Sequence, residues 1–508
     1  MTNQTLRLSK SRVQSGAQCT LKLWYDCFER DLAPPVDEIL QFIFDRGTEI
    51  GERAQERYPG GKLIDAMYYE TDLAIEQTND AITDPTVSAL FEPAFIHRNV
   101  SARIDVLQRV DADSWDLIEV KSASNAKHVY VRDLAIQLWI LQGAGLDVRR
   151  AGLLLLNKEY VYDGKQLDVD RLFKFVDLTD EVVAMRDEVE ALVDSLHAVV
   201  ARDAAPQIEP GPHCSVPYKC PYSAHCTKDD VALDYPIGKL PRISANKRLQ
   251  LEKLKVEEIS DIPADFALNE MQARVRECVV RGEDWVSDGL AGALTNITYP
   301  VYHLDFETFM PAVPIYAGMH PFGPVPFLYS IHRQTQAGET EHFEHLCRAS
   351  DDPHRELAEQ LIADLGDHGS ICVYSAFEQT MIKALAHRLP DLAPALEAMV
   401  DRIWDLLPII RTHYYHPAFQ GSFSIKTVLP ALVPGLDYQG MEIGSGMAAA
   451  IKYEMALGLG VGLGLGLPDE KEREEIFDQL RAYCKQDTWA MVELRRALGG
   501  RACSPQLN

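Results

Sequence analysis

At 508 residues the chain is too long for one ordinary domain, and a span of roughly 100–200 residues per domain predicts two or three. It is 46% hydrophobic and 25% charged, a globular composition, and 50 basic against 76 acidic side chains leave a net charge of −26. That balance opposes non-specific attraction to a polyanion, which excludes a dedicated nucleic-acid coat but leaves room for a local basic groove. The opening MTNQTLRLSKSRVQ has no long apolar core, and no run of about 18 apolar residues follows, so a cytoplasmic protein without a membrane segment is expected. In such a reducing compartment the ten cysteines are expected as thiols or metal ligands.

In chain order, Leu6–Phe28 reads as a helix entered through Ser9, with Cys19 beside an apolar face of Leu21, Leu23 and Trp24. Val36–Arg57 is a second helix, its apolar stripe formed by Ile39, Phe42, Ile43, Ile50 and Ala54, and Glu49 and Glu52 on it are spare carboxylates. Arg103–Val110 and Trp115–Val120 alternate apolar and polar residues and predict a hairpin turning at Asp111–Ser114. Asp105 falls on its first strand. Glu119 and Lys121, two apart on the second, leave the sheet on one side. Two carboxylates converging on Mg²⁺ or Mn²⁺ can activate water, while a lysine stabilises developing charge. A helix over Val131–Gln142 would bring Gln137 to the same place. Ala151–Lys158 is a buried strand and Val182–Val200 a long helix.

Three cysteines then follow at even intervals, Cys214, Cys220 and Cys226, with His213 and His225 among them. From 231 to 297 the composition shifts and predicts a helical connector, closed by Gly282–Gly292. The strand Val301–Thr308 places Asp305 and Glu307 on one face. Glu378 opens a helix after the buried strand Ser370–Tyr374, and Asp405 follows the next helix. His413, His416 and Lys426 belong to a polar and aromatic loop. In the helix Leu480–Leu494, Tyr483 and Asp487 are four apart and share a face. The run Ala456–Leu467 alternates glycine with aliphatics, lacks the lysine of a phosphate loop, and reads as low-complexity chain; the tail 501–508 reads as disordered.

Three of these patterns carry family resemblances. Asp105, then Glu119-Val-Lys121, then Gln137 resembles the PD-(D/E)XK nuclease core in its RecB-like branch, although Gly51 stands where that branch places a histidine ligand and Leu141 where it places a tyrosine. Cys19 with Cys214, Cys220 and Cys226 resembles the iron–sulfur nucleases, including the CRISPR-associated RecB-like family; this implies a [4Fe–4S] cluster on four thiolates. Zinc stays open as the alternative, with His213 and His225 as further ligands and Cys27 as a spare thiol. Asp305-Phe-Glu307 with the later Tyr483 and Asp487 resembles the RNase H-like, DnaQ-type exonucleases. That likeness implies two Mg²⁺ or Mn²⁺ ions held by Asp305, Glu307, Asp487 and either Glu378 or Asp405, with Tyr483 orienting the attacking water.

The implied fold class is α/β: a PD-(D/E)XK (restriction-endonuclease-like) domain over 1–230, a helical connector over 231–297, and an RNase H-like domain over 298–500. The implied activity is metal-dependent hydrolysis of phosphodiester bonds. Asp105 and Glu119 would hold metal in the first domain, and single-stranded DNA ends would be the favoured substrate, in repair or defence. Two alternatives stay open: a nucleic-acid-binding adaptor in which one or both sites have lost activity, and an RNA-processing exonuclease.

Overall fold

The computed structural model of the protein describes residues 6–229, 233–459 and 468–502. Most of the glycine-aliphatic run and of the tail falls outside them. The chain is mixed α/β and separates into two compact units, Met1–Asp230 with Pro311–Gly323, and Val231–Met310 with Pro324–Leu459 and Leu465–Asn508. Among the described residues no helix is long and apolar enough to cross a membrane.

The first unit is built on a six-stranded mixed sheet whose spatial order follows the chain: β1 (Lys62–Leu63), β2 (Ala89–Phe91), β3 (Val106–Arg109), β4 (Ser114–Lys121), β5 (Asp147–Leu156) and β6 (Phe173–Asp177). β3 and β4 are antiparallel, with Val106 opposite Ile118. β4 and β5 are parallel, so a helical crossover must join them. The hairpin expected from Arg103 onward is interrupted: Val100–Arg103 pairs in a separate three-stranded sheet, and Asp105 lies in the break before β3 rather than on a strand. The first helix is also divided. α1 (Lys10–Gln18) is capped by the Ser9 side chain, and Cys19 adopts an extended backbone before α2 (Thr20–Phe28) begins. α3 (Glu38–Gln55) and α4 (His128–Gly143) complete the elements that matter for the site. α4 is buried on nearly every side, which explains its weak amphipathic pattern.

The second unit carries a five-stranded sheet, in the order β9 (Thr340–Leu346), β8 (Val325–Gln334), β7 (Val301–Phe309), β10 (Ser370–Val373), β11 (Ile403–Asp405). The first three strands are antiparallel and the last two run parallel to β7. Helices α5 (Phe377–Arg388), α6 (Leu406–His413), α7 (Ile425–Leu432) and the 33-residue α8 (Glu470–Ala502) surround it. The described part of the expected connector, residues 233–297, is not free-standing. Ile237, Leu240, Leu251, Val256, Ile259 and Ile262 are buried in one core with Val301, Trp404, Tyr414 and Leu494.

Candidate functional site

In the second unit the pleat of β7 sends Asp305 and Glu307 to the same side. α8 is fixed beside them by Thr488, whose hydroxyl bonds Ser330 Oγ at 2.9 Å and His332 Nδ1 at 2.8 Å on β8. One turn earlier Cys484 Sγ donates to Asp305 Oδ2 at 3.5 Å, and Tyr483 and Asp487 face the same space. Glu378, in the first turn of α5 at the end of β10, completes the group. Glu307, Glu378 and Asp487 are each at least nine-tenths covered.

Buried carboxylates this close cannot all carry charge without a partner. Burial first, then Asp487, Glu307 and Glu378, pushes Asp305 well above the usual carboxylate range. Burial and Asp487 raise Glu307 to about 8. Burial raises Glu378 to about 7, with Asp405 and Asp487 adding to the rise, and burial raises Asp487 to about 6 against the opposing pull of Tyr438 and Lys426. Lys426 Nζ donates to Tyr483 Oη at 2.6 Å and to the Gly444 carbonyl at 2.7 Å. Tyr438 donates to Asp487 Oδ1 at 2.6 Å. Asp405 is used otherwise: its carboxylate accepts from Leu407 N at 2.9 Å and caps α6, so it serves the helix and acts on the cluster through Glu378. Of the two alternatives, Glu378 therefore sits among the acids. His413 bonds Ser287 and His416 caps the short turn after it.

Tyr438 was not singled out by any motif; its only signal is an aromatic ring in the loop before Gly440. Its replacement tests the geometry. Tyr438→Phe removes one of the two tyrosine hydroxyls that donate to Asp487 and is expected to cost about 1.5–3 kcal/mol at that carboxylate, so the acidic limb of the pH–rate profile should move to higher pH.

In the first unit the expected residues also meet. Asp105 Oδ2 accepts from Val120 N at 2.7 Å, replacing a ladder bond where its own strand breaks. Burial, with Glu119 next, raises Asp105 to about 8. Gln137 Nε2 donates to Glu119 Oε2 at 2.7 Å, and Lys121 Nζ donates to Glu119 Oε1 at 2.5 Å. Two residues join them unannounced: Lys10, from the start of α1, and Asp133, one turn before Gln137 on α4. Burial opposes charge on Glu119, but Lys10 and Lys121 outweigh it and hold the group below its ordinary value. The cleft in front encloses about 810 Å³ and is lined by Ile43, Phe44, Glu92, Asp105, Glu119 and Lys121, with Gly47 and Gly51 among the other lining residues.

Cys19, Cys214, Cys220 and Cys226, distant in sequence, line one small cavity with Tyr25, His213 and Tyr222. None of the four is in a disulfide. Among the described residues, three donor atoms within 4.8 Å of one another occur at Asp305, Glu307 and Cys484 and at His345, Cys347 and Glu356; the four thiols form no such set. Cys27 lies elsewhere, packed against the apolar core, where burial raises its thiol. His225 packs its ring against Tyr25.

The fold and sites define an α/β protein of two units, each with a buried acidic cluster. Residues 302–424 match a family described as a domain of unknown function (DUF2779). That segment holds Asp305, Glu307, Glu378 and Asp405 and stops before Lys426, Tyr483 and Asp487. No curated protein matches the chain. A solved structure, "Crystal structure of SSO0001", is similar at 10% identity over 41% of this chain and 90% of that one, with a TM-score of 0.18, a likeness that carries no argument.

Proposed function

We propose that the second unit is a metal-dependent nuclease that hydrolyses phosphodiester bonds, with single-stranded DNA ends as its favoured substrate. The observation that carries this reading is the gathering of four carboxylates, the buried Glu307, Glu378 and Asp487 and the half-buried Asp305, with Lys426 as the ammonium that faces them. A carboxylate-rich, strongly acidic donor set suits hard divalent cations, so Mg²⁺ or Mn²⁺ fits these acids, while burial keeps the neighbouring Cys484 thiol protonated. Bound there, such ions would supply an activated water and neutralise the phosphate. The chain's own residues do the rest. The Tyr483 hydroxyl, oriented by Lys426, is positioned to hold a water beside Asp487. Tyr438 keeps Asp487 ionised, and Lys426 adds positive charge where a phosphate would arrive.

End-labelled single- and double-stranded DNA and RNA, incubated with Mg²⁺ or Mn²⁺, test the reading. Stepwise shortening of single-stranded DNA is expected. Preference for RNA would instead favour the RNA-processing reading, and no cleavage of any strand would favour the adaptor.

The same reading assigns the four thiols to an iron–sulfur cluster, with zinc as the alternative. A single tetrahedral Zn²⁺ with Zn–S near 2.3 Å draws its sulfurs to about 3.8 Å from one another. Four thiolates are the ligand set of a cubane, and Cys19, Cys214, Cys220 and Cys226 line one cavity. Bound there, the cluster would tie the α1–α2 junction to the end of the unit. Purified protein is expected to be brown, and Cys19→Ser to lose the colour and melt at lower temperature; colourless protein carrying one zinc would overturn the assignment.

A further inference from the structure

The resemblance that places a divalent cation at Asp105 and Glu119 meets a difficulty in the side chains that surround them. Lys10 Nζ lies 3.0 Å from Glu119 Oε1 and 3.5 Å from Asp133 Oδ1. Lys121 Nζ lies 2.5 Å from the same glutamate oxygen and 2.9 Å from Asp133 Oδ2. The other oxygen of Glu119 accepts from Gln137, and Asp105 already accepts from Val120 N. The glutamate side chain is 2% exposed and that of Lys10 is 18% exposed, so water competes little for these contacts. Two ammonium groups bring the same charge as one Mg²⁺, and being covalently attached they lose no freedom of translation on binding. A cation from solution would have to displace at least one of them from Glu119, breaking a largely buried ion pair and leaving both lysines to share Asp133. Opposite them, Gly51 on α3 faces the cleft with open space around a notional Cβ and brings no ligand there; the oxygen donors that α3 adds to the lining are Thr48, Glu52 and Gln55.

We propose that the first unit recruits no divalent cation: Lys10 and Lys121 are its resident counter-cations, and its cleft contributes no metal-dependent hydrolysis. The residue that makes the difference is Lys10, since Lys121 belongs to the motif in any case. This conclusion is independent of the reading of the second unit.

The test is a Mn²⁺ titration followed by electron paramagnetic resonance, on the full chain carrying Asp305→Asn and Asp487→Asn to disable the second unit. The free-ion signal is expected to match that of buffer alone. A bound ion that disappears when Glu119→Gln is added would overturn the proposal, and this comparison decides without touching Lys10. In the same background Lys10→Gln, or Lys10→Ala where the milder change is tolerated, is expected to gain one bound Mn²⁺ that Glu119→Gln removes again. A folded Lys10 variant, checked by circular dichroism, that gains none would refute the role given to Lys10.

Discussion

Asp305→Asn is expected to stop hydrolysis and, in metal-free protein, to raise the melting temperature. The two effects have one cause. Asp305 is crowded by Asp487, Glu307 and Glu378 in a buried pocket, so ionising it is costly unless a cation is present. An amide removes that cost near pH 8, stabilising the unit by about 1–2 kcal/mol, or roughly 2–8 °C for a unit of this size. The same amide binds a divalent cation poorly, and a loss of about 10³-fold in rate, near 4 kcal/mol of transition-state stabilisation, follows. A purely structural acid would behave otherwise: its replacement would lower the melting temperature or leave it unchanged, with activity following stability.

Stability in the presence and absence of metal should also diverge with pH. Glu307 near 8, Glu378 near 7 and Asp487 near 6 all exceed the ordinary carboxylate value in the folded chain. Groups raised in this way hold protons in the folded state that the unfolded chain releases. Their contribution is therefore fully present below about pH 4 and is lost as pH rises from there through the 6–8 range. A cation can replace those protons. Mn²⁺ at about 100 times its dissociation constant is expected to add about 2.7 kcal/mol, and the increment should grow from pH 5 to pH 8. Melting curves with and without Mn²⁺ at those two values measure it; an equal increment at both would mean that the ion binds elsewhere.

What the sequence made legible follows from spacing. Asp305 and Glu307 on one strand, Tyr483 and Asp487 on one helix, and Glu119 with Lys121 are short-range pairs, and secondary-structure period alone brings each pair to one face. Gln137 was legible because its helix follows the motif strand of Glu119 and Lys121, and Glu378 because it opens a helix after a buried strand. Lys10 was not, since 109 residues separate it from Glu119 and its position depends on where α1 meets the sheet. Asp133 carries a signal of its own: an acid one turn from Gln137 on a largely apolar, buried helix needs a partner. The placement of Asp105 in a break, rather than on a strand, reflects a change of sheet that no local pattern marks. Residues 231–297 read as a connector because their apolar residues follow no steady period; they are buried instead through short turns against the second unit's core.

Manganese in crystals of the full chain, located by its anomalous scattering, tests the central claim most directly. The account predicts two peaks about 4 Å apart among Asp305, Glu307, Glu378 and Asp487, and none between Asp105 and Glu119. Ions bound only elsewhere, with the second unit's four acids left in contact with water or one another, would contradict it.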